Sequence, residues 1–263
     1  MSFSITYQSI RTNSKGAFFT GFGLLLMAFL FAALHDQLKA DLSSLLDVIP
    51  SGMEAFIGDL SVATTPEGWL SIELFALFVP LAFAILGLAL GSKMIGKEED
   101  SGTLELLLSR PISRHHIVAE KALALGIILA LPAALLWLGV FIGSLLFPFD
   151  VNLMYVAQAT ISAWVFGLGF GMMTFAAQAT SGNRGIAVAL GAGFLGLTWA
   201  LNIIAELVSS LGNLKYASPL HYFNNPQTLI SGLDMLYVVV LIAIALLGYV
   251  LAHIGFANRD ITS

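Results

Sequence analysis

The segment Gly91-Ser92-Lys93-Met94-Ile95-Gly96-Lys97 has the G-x-x-x-x-G-K spacing of a phosphate-binding loop. Glu98 follows it, where a Mg²⁺-binding Ser or Thr should stand, and a carboxylate there repels phosphate. The segment also follows a long apolar run and not a strand, so no nucleotide site is expected in this chain. His115 and His116 are adjacent and cannot face one metal ion at helical spacing. No catalytic triad, metal cluster or cofactor motif stands out, so no catalytic residue is assigned. Isolated ionisable residues remain beside apolar runs: Glu73, Glu206, Asp234 and His253. Groups at membrane depth are functional candidates by default, although all four sit near the ends of their runs, where long side chains reach water. Asn202 and Gln178 could bond between helices.

The densest chemistry lies in residues 98–114: Glu98-Glu99-Asp100-Ser101-Gly102-Thr103-Leu104-Glu105, three leucines, then Ser109-Arg110-Pro111-Ile112-Ser113-Arg114. Residues 103–109 read as a short helix with Leu104, Leu107 and Leu108 on one face. Pro111 stops it, and Ser113 can cap the next helix. Such a helix, held parallel to a membrane, either docks a cytosolic partner or rests its leucines on lipid headgroups.

The elements that position these residues are apolar spans. Of the 263 residues 58% are apolar and 10% charged, with a net charge of -5 and no cysteine. A mean hydropathy of +0.90 exceeds what one globular core can hide, so lipid must solvate most of these side chains. Without cysteine there is no disulfide framework or thiolate metal site, and without a basic stripe nucleic acid is not an expected partner. A spanning helix needs about 20 apolar residues. Six stretches qualify, at 17–34, 69–90, 122–147, 153–177, 186–207 and 235–256. They are continuously apolar, as helices require and barrels do not. The first is read as a retained span and not a cleaved signal. The fold class is therefore all-α integral membrane, one transmembrane domain over 1–263.

Arg11, Lys15, Lys93, Lys97, Arg110, Arg114, Lys121, Arg184 and Arg259 fall on one side, leaving Lys39 and Lys215 of the 11 basic residues on the other. The positive-inside rule puts both termini in the cytoplasm. The outer loop at 35–68 is long and semi-apolar, with amphipathic Leu42, Leu45, Leu46 and Ile49, a break at Pro50-Ser51-Gly52 and a second short helix at 53–60. The outer loop at 208–233 carries Tyr216, Pro219, Tyr222, Phe223 and Pro226, which suits an interfacial segment, a re-entrant turn or an ordinary connection. Pro80 and Pro132 are expected to kink their helices. Gly87-x-x-x-Gly91, Gly139-x-x-x-Gly143 and Gly167-x-x-x-Gly171, with Gly191, Gly193 and Gly196, permit close helix crossings.

The stretch from Glu98 to Arg114, with Lys121 beyond it, resembles the inner-loop signature of ABC-2 type transporter permeases. Ser218-Pro219-Leu220-His221-Tyr222-Phe223 is similar to that family's aromatic segment before the last helix, and Phe256-Ala257-Asn258-Arg259-Asp260-Ile261 to its tail. The tail has one arginine where relatives often have two or more, and the long first outer loop resembles only a subset of them. The resemblance implies an ATP-driven exporter in the plasma membrane, with two permease copies above two ABC ATPase subunits that hold the ATP and Mg²⁺. Residues 103–109 would be the coupling helix. Glu98, Glu99, Asp100, Gly102, Thr103, Leu104, Glu105, Leu107, Leu108, Arg110, Pro111 and Arg114 would form the coupling region. Glu98 and Glu99 would stand at the cytosolic gate, Glu73 beside the substrate path, and the first and fifth helices at the dimer seam. The cargo would be hydrophobic or amphipathic. The rival classes are an ion- or proton-driven secondary transporter, which usually shows midplane charges and an inverted repeat, an intramembrane enzyme, and a membrane scaffold.

Overall fold

The computed structural model describes residues 4–46, 64–100, 102, 113–223 and 225–259. Every regular element among them is helical: α1 (Ser4–Leu46), α2 (Pro66–Leu70), a π-helical turn (Ser71–Phe75), α3 (Phe78–Gly91), α4 (Gly96–Asp100), α5 (Arg114–Leu146), α6 (Leu153–Ser181), α7 (Arg184–Leu207), a 3₁₀ helix (Ser209–Ala217), α8 (Pro219–Phe223), α9 (Asn225–Ser231) and α10 (Met235–Asn258). Among the described residues five helices are long and apolar enough to cross a membrane, and six if the bent pair Pro66–Phe75 with Phe78–Gly91 counts as one broken span.

Local chemistry sets most boundaries. Ser113 Oγ accepts the His116 N–H at 3.3 Å, as its position before α5 predicts. Asn152, Asn183 and Asp234 cap α6, α7 and α10 in the same way, which gives Asp234 a structural role. Gly182 ends α6 with φ 63°, a conformation that a Cβ disfavours.

The second span is broken, as Pro80 led one to expect for the run at 69–90. It bends by 40° at Ala76-Leu77. Pro80 lies four residues after Ala76 and has no N–H to give the Ala76 carbonyl, and its ring crowds that carbonyl. Pro132 leaves α5 unbroken.

The first helix differs from its expected extent. It runs from Ser4 to Leu46, well past 17–34, and takes in Leu42, Leu45 and Leu46; the break at Pro50 and the helix at 53–60 lie outside the described residues. Two N–H groups of its first turn are met from a distant helix. Buried Glu120 of α5 meets them, its Oε2 accepting the Ile5 and Thr6 N–H groups at 3.1 and 2.9 Å.

The centre of the bundle is α6. Of its most apolar window 78% is buried, against 17% for α7. Gly87 and Gly91 of α3 meet Gly167 and Gly171 of α6 backbone to backbone; a Cβ on either residue of α3 would collide with the facing carbonyl oxygen. Gly139 and Gly143 of α5 receive Leu25, Ala28 and Ala32 of α1 in the same manner. By contrast Gly193 and Gly196 of α7 meet nothing within 4 Å in this chain.

Gly87→Val and Gly91→Val are therefore expected to destabilise the fold by at least about 3 kcal/mol, the upper range for overpacking. Gly193→Val should leave the melting temperature of the isolated chain in detergent unchanged. Equal melting temperatures for all three variants would contradict the crossing.

Candidate functional site

One end of the bundle gathers both termini and most of the basic residues. After α3 the chain makes a turn that buries Met94 and Ile95, and Gly96 lies against the Gln178 amide. The segment with phosphate-loop spacing is thus a packed corner between two helices. It presents α4, with Glu98 and Glu99, to the spans around it.

Glu98 Oε1 pairs with the Lys121 ammonium of α5. Glu99 Oε1 pairs with the Arg259 guanidinium, just past α10, and Glu99 Oε2 accepts from Gln178 Nε2 of α6 at 2.5 Å. Arg114 adds a second strap: its Nη1 donates to the carbonyls of Phe256, Ala257 and Arg259 at 3.2, 3.2 and 2.7 Å. These are orphan carbonyls at a helix C-terminus, where a cation also meets the negative end of the dipole. The acidic pair therefore ties the third, fourth and sixth spans to the chain that leaves the second. Parting one of these pairs would leave a desolvated charge, so the joint resists separation.

Of the residues assigned to coupling, Glu98, Glu99 and Arg114 come together in this joint. Asp100 ends α4, and Gly102 (φ 66°) gives its N–H to the Glu99 carbonyl at 3.0 Å. Thr103, Leu104, Glu105, Leu107, Leu108, Arg110 and Pro111 lie outside the described residues. Sequence reasoning overlooked Glu120, whose other oxygen pairs with His116 at 2.7 Å; the i, i+4 spacing of His116 and Glu120 was its available signal. His115 stacks on His253 with ring centroids 4.7 Å apart, so the two adjacent histidines diverge. Gln178 bonds between helices as foreseen, whereas Asn202 bonds to Glu206 on its own helix at 2.9 Å.

The opposite end is built by a segment that doubles back. After α7 the 3₁₀ helix returns along it, and Ser218 Oγ, fully buried, donates to the Thr198 carbonyl at 2.8 Å. Thr198 lies nine residues before the end of α7, roughly 13 Å down its axis at 1.5 Å per residue. The loop at 208–233 thus folds back along α7 and is not a simple extended connection. Phe223 then packs on Phe166 of α6, centroids 5.1 Å apart. Between the break in the second span, the end of α7 and the returning segment lies a cavity of about 540 Å³, with Phe75, Asn202, Glu206, Lys215, His221 and Phe223 in its wall. Burial, and then the nearby Lys215 charge, lower the pKa of His221 below its usual 6.5 and keep the ring neutral. Glu73 sits half-buried on the π-helical turn.

The bundle and its charged joint define a multi-pass helical membrane protein. Residues 8–261 match the family model described as ABC-2 family transporter protein, and the chain belongs to that family. It is thus a transporter membrane subunit of the ABC-2 class. No curated protein matches it.

The joint predicts an asymmetry. The Lys121 side chain is 4% exposed and that of Glu98 23%, so Glu98→Gln strands the more buried charge. It should destabilise the chain by about 2–3 kcal/mol, more than Lys121→Met does. The double variant should recover part of the loss in a double-mutant cycle read by thermal melting; additive losses would show that the pair does not couple.

Proposed function

We propose that this chain is the permease subunit of an ATP-driven exporter, with its basic end and both termini in the cytoplasm and its bundle in the plasma membrane. The observation that carries the reading is the match to the ABC-2 transporter family over residues 8–261. The bias of basic residues toward one end supports the orientation. Energy comes from a separate ABC ATPase, which holds ATP and Mg²⁺; this chain is not itself the enzyme.

The leucine-faced segment at 103–109 is the coupling helix that docks on the ATPase. It leaves from Gly102, directly after the acidic pair, and rejoins the bundle at Arg114. A push on it reaches the joint of Glu98, Glu99, Lys121 and Arg259 and so bears on four spans at once. By linkage, ATP drives a conformational change only through contacts that differ between the two states; a short segment strapped to several helices supplies such a contact.

Two permease copies pair above two ATPase subunits. The seam uses the unfilled faces of α1 and α7, where Gly16, Gly23, Gly193 and Gly196 have nothing within 4 Å and a second helix could approach closely. The cargo is hydrophobic or amphipathic. An apolar groove of about 560 Å³ between α6, α7 and α10, lined by Phe194, Leu190 and Leu251 with Thr180 and Ser181 at one end, favours such a molecule, and Glu73 lies along its way outward.

Co-expression with a cognate ABC ATPase should yield a two-plus-two complex by native mass spectrometry. Leu104→Glu with Leu107→Glu should leave insertion and folding intact but uncouple ATP hydrolysis from transport in proteoliposomes. Normal transport by that variant would refute the coupling assignment.

A further inference from the structure

The cavity at the non-basic end carries a set of groups that packing alone does not explain. Its floor is aromatic, with Phe75 from the broken span and Phe223 from the returning segment. Its wall holds one carboxylate, Glu206, and one ammonium, Lys215, which form no ion pair with each other although both line the same space. Glu206 keeps one oxygen on the Asn202 amide, and Lys215 sits 5.3 Å from the centre of the Tyr216 ring. Between them is His221, ringed by Tyr216, Tyr222 and Tyr237 at centroid distances of 5.0, 5.2 and 5.4 Å. Its Nε2 is buried and has no hydrogen-bond partner among the described residues. A buried polar atom left alone costs free energy, and a cavity beside it is where a missing partner would stand.

Two opposite charges held apart fit a ligand that itself carries both charges. An ammonium on the ligand would meet Glu206; a phosphate would meet Lys215 and accept from the imidazole. Charge-assisted bonds of this kind are among the stronger ones. The aromatic floor asks for an apolar body attached to that head. The setting agrees: the site lies where α7 ends, and the tyrosines around it are the residue type that gathers at the level of lipid headgroups.

We propose that this cavity is a binding site for a zwitterionic amphiphile of the aminophospholipid class, its primary amine on Glu206, its phosphate on Lys215 and His221, and its chain on Phe75 and Phe223. The site is complete within one chain. It goes beyond the transport reading and does not depend on ATP coupling.

The test uses the purified chain in detergent without the ATPase, titrated with lysophosphatidylethanolamine or with lysophosphatidylglycerol, which has the phosphate but no amine. Bound lipid is counted by native mass spectrometry. The amine-bearing lipid is expected to bind one per chain, about tenfold tighter than the other, since one charge-assisted contact is worth about a factor of ten or more. Glu206→Gln keeps the bond to Asn202 and should abolish the preference, while Glu206→Asp should retain part of it. Lys215→Gln should weaken both lipids about equally. Equal affinities in the unmodified chain, or a preference untouched by Glu206→Gln, would overturn the assignment. Because no ATPase is present, failure here leaves the exporter reading standing. Failure of coupling, in turn, leaves this site standing.

Discussion

The structure depends on a backbone contact. In a bilayer, lipid tails are as apolar as leucine, so burying leucine against leucine gains little and helices associate through close packing. Gly87 and Gly91 of α3 lie on Gly167 and Gly171 of α6 with no side chain between them. That contact makes α6 the axis on which the other spans lean. Gly248 and Gly255 of α10 repeat the device against Met172 and Thr180 on another face of the same helix. Once α6 is surrounded, Gln178 near its end is fully buried and can serve as a fixed donor to Glu99.

From this follows the division of labour between the two ends. At the basic end the spans are joined by charges: Lys121 and Arg259 hold the acidic pair, and Arg114 straps the end of α10. Ion pairs in a partly dry setting are poor stabilisers but stiff joints, because separating them exposes each partner's desolvation cost. At the other end the spans are joined by aromatic rings and by one buried serine on the Thr198 carbonyl. That end leaves room where Pro80 breaks the second span, and the break, the returning segment and the cavity adjoin one another.

The helical nature of the apolar runs and the helix start at Ser113 were legible in the sequence, and Asn152, Asn183 and Asp234 carry the same kind of local signal. Each rests on local information: about twenty apolar residues in a row, or a side chain that reaches an N–H two or three residues on. The glycine spacings were legible as a capacity for close approach. Which helix each would meet was not, since Gly167 carries no mark that names Gly87. Gly193 has the same chemistry as Gly91 yet faces open space in this chain.

Tertiary structure alone decided the rest. Glu120, 115 residues away from Ile5, accepts N–H groups of the first turn of α1, a contact that no spacing in the sequence announces. The acidic pair reads in sequence as exposed charge on a loop, but its partners come from α5, α6 and the tail, and only folding brings them within reach. The loop at 208–233 left three possibilities open because tyrosine and proline suit all of them; that it folds back along α7, with Ser218 on the Thr198 carbonyl, is a tertiary fact. Glu206 and Lys215 sit nine residues apart in the chain, and it is the returning segment that sets them around one cavity without letting them neutralise each other. The sequence by itself determined that the chain lies in a membrane as a helical, multi-pass protein and which family it resembles, because those follow from composition and local order. Which charges meet, and where space is left between the spans, followed from packing, because those depend on residues that are distant in sequence.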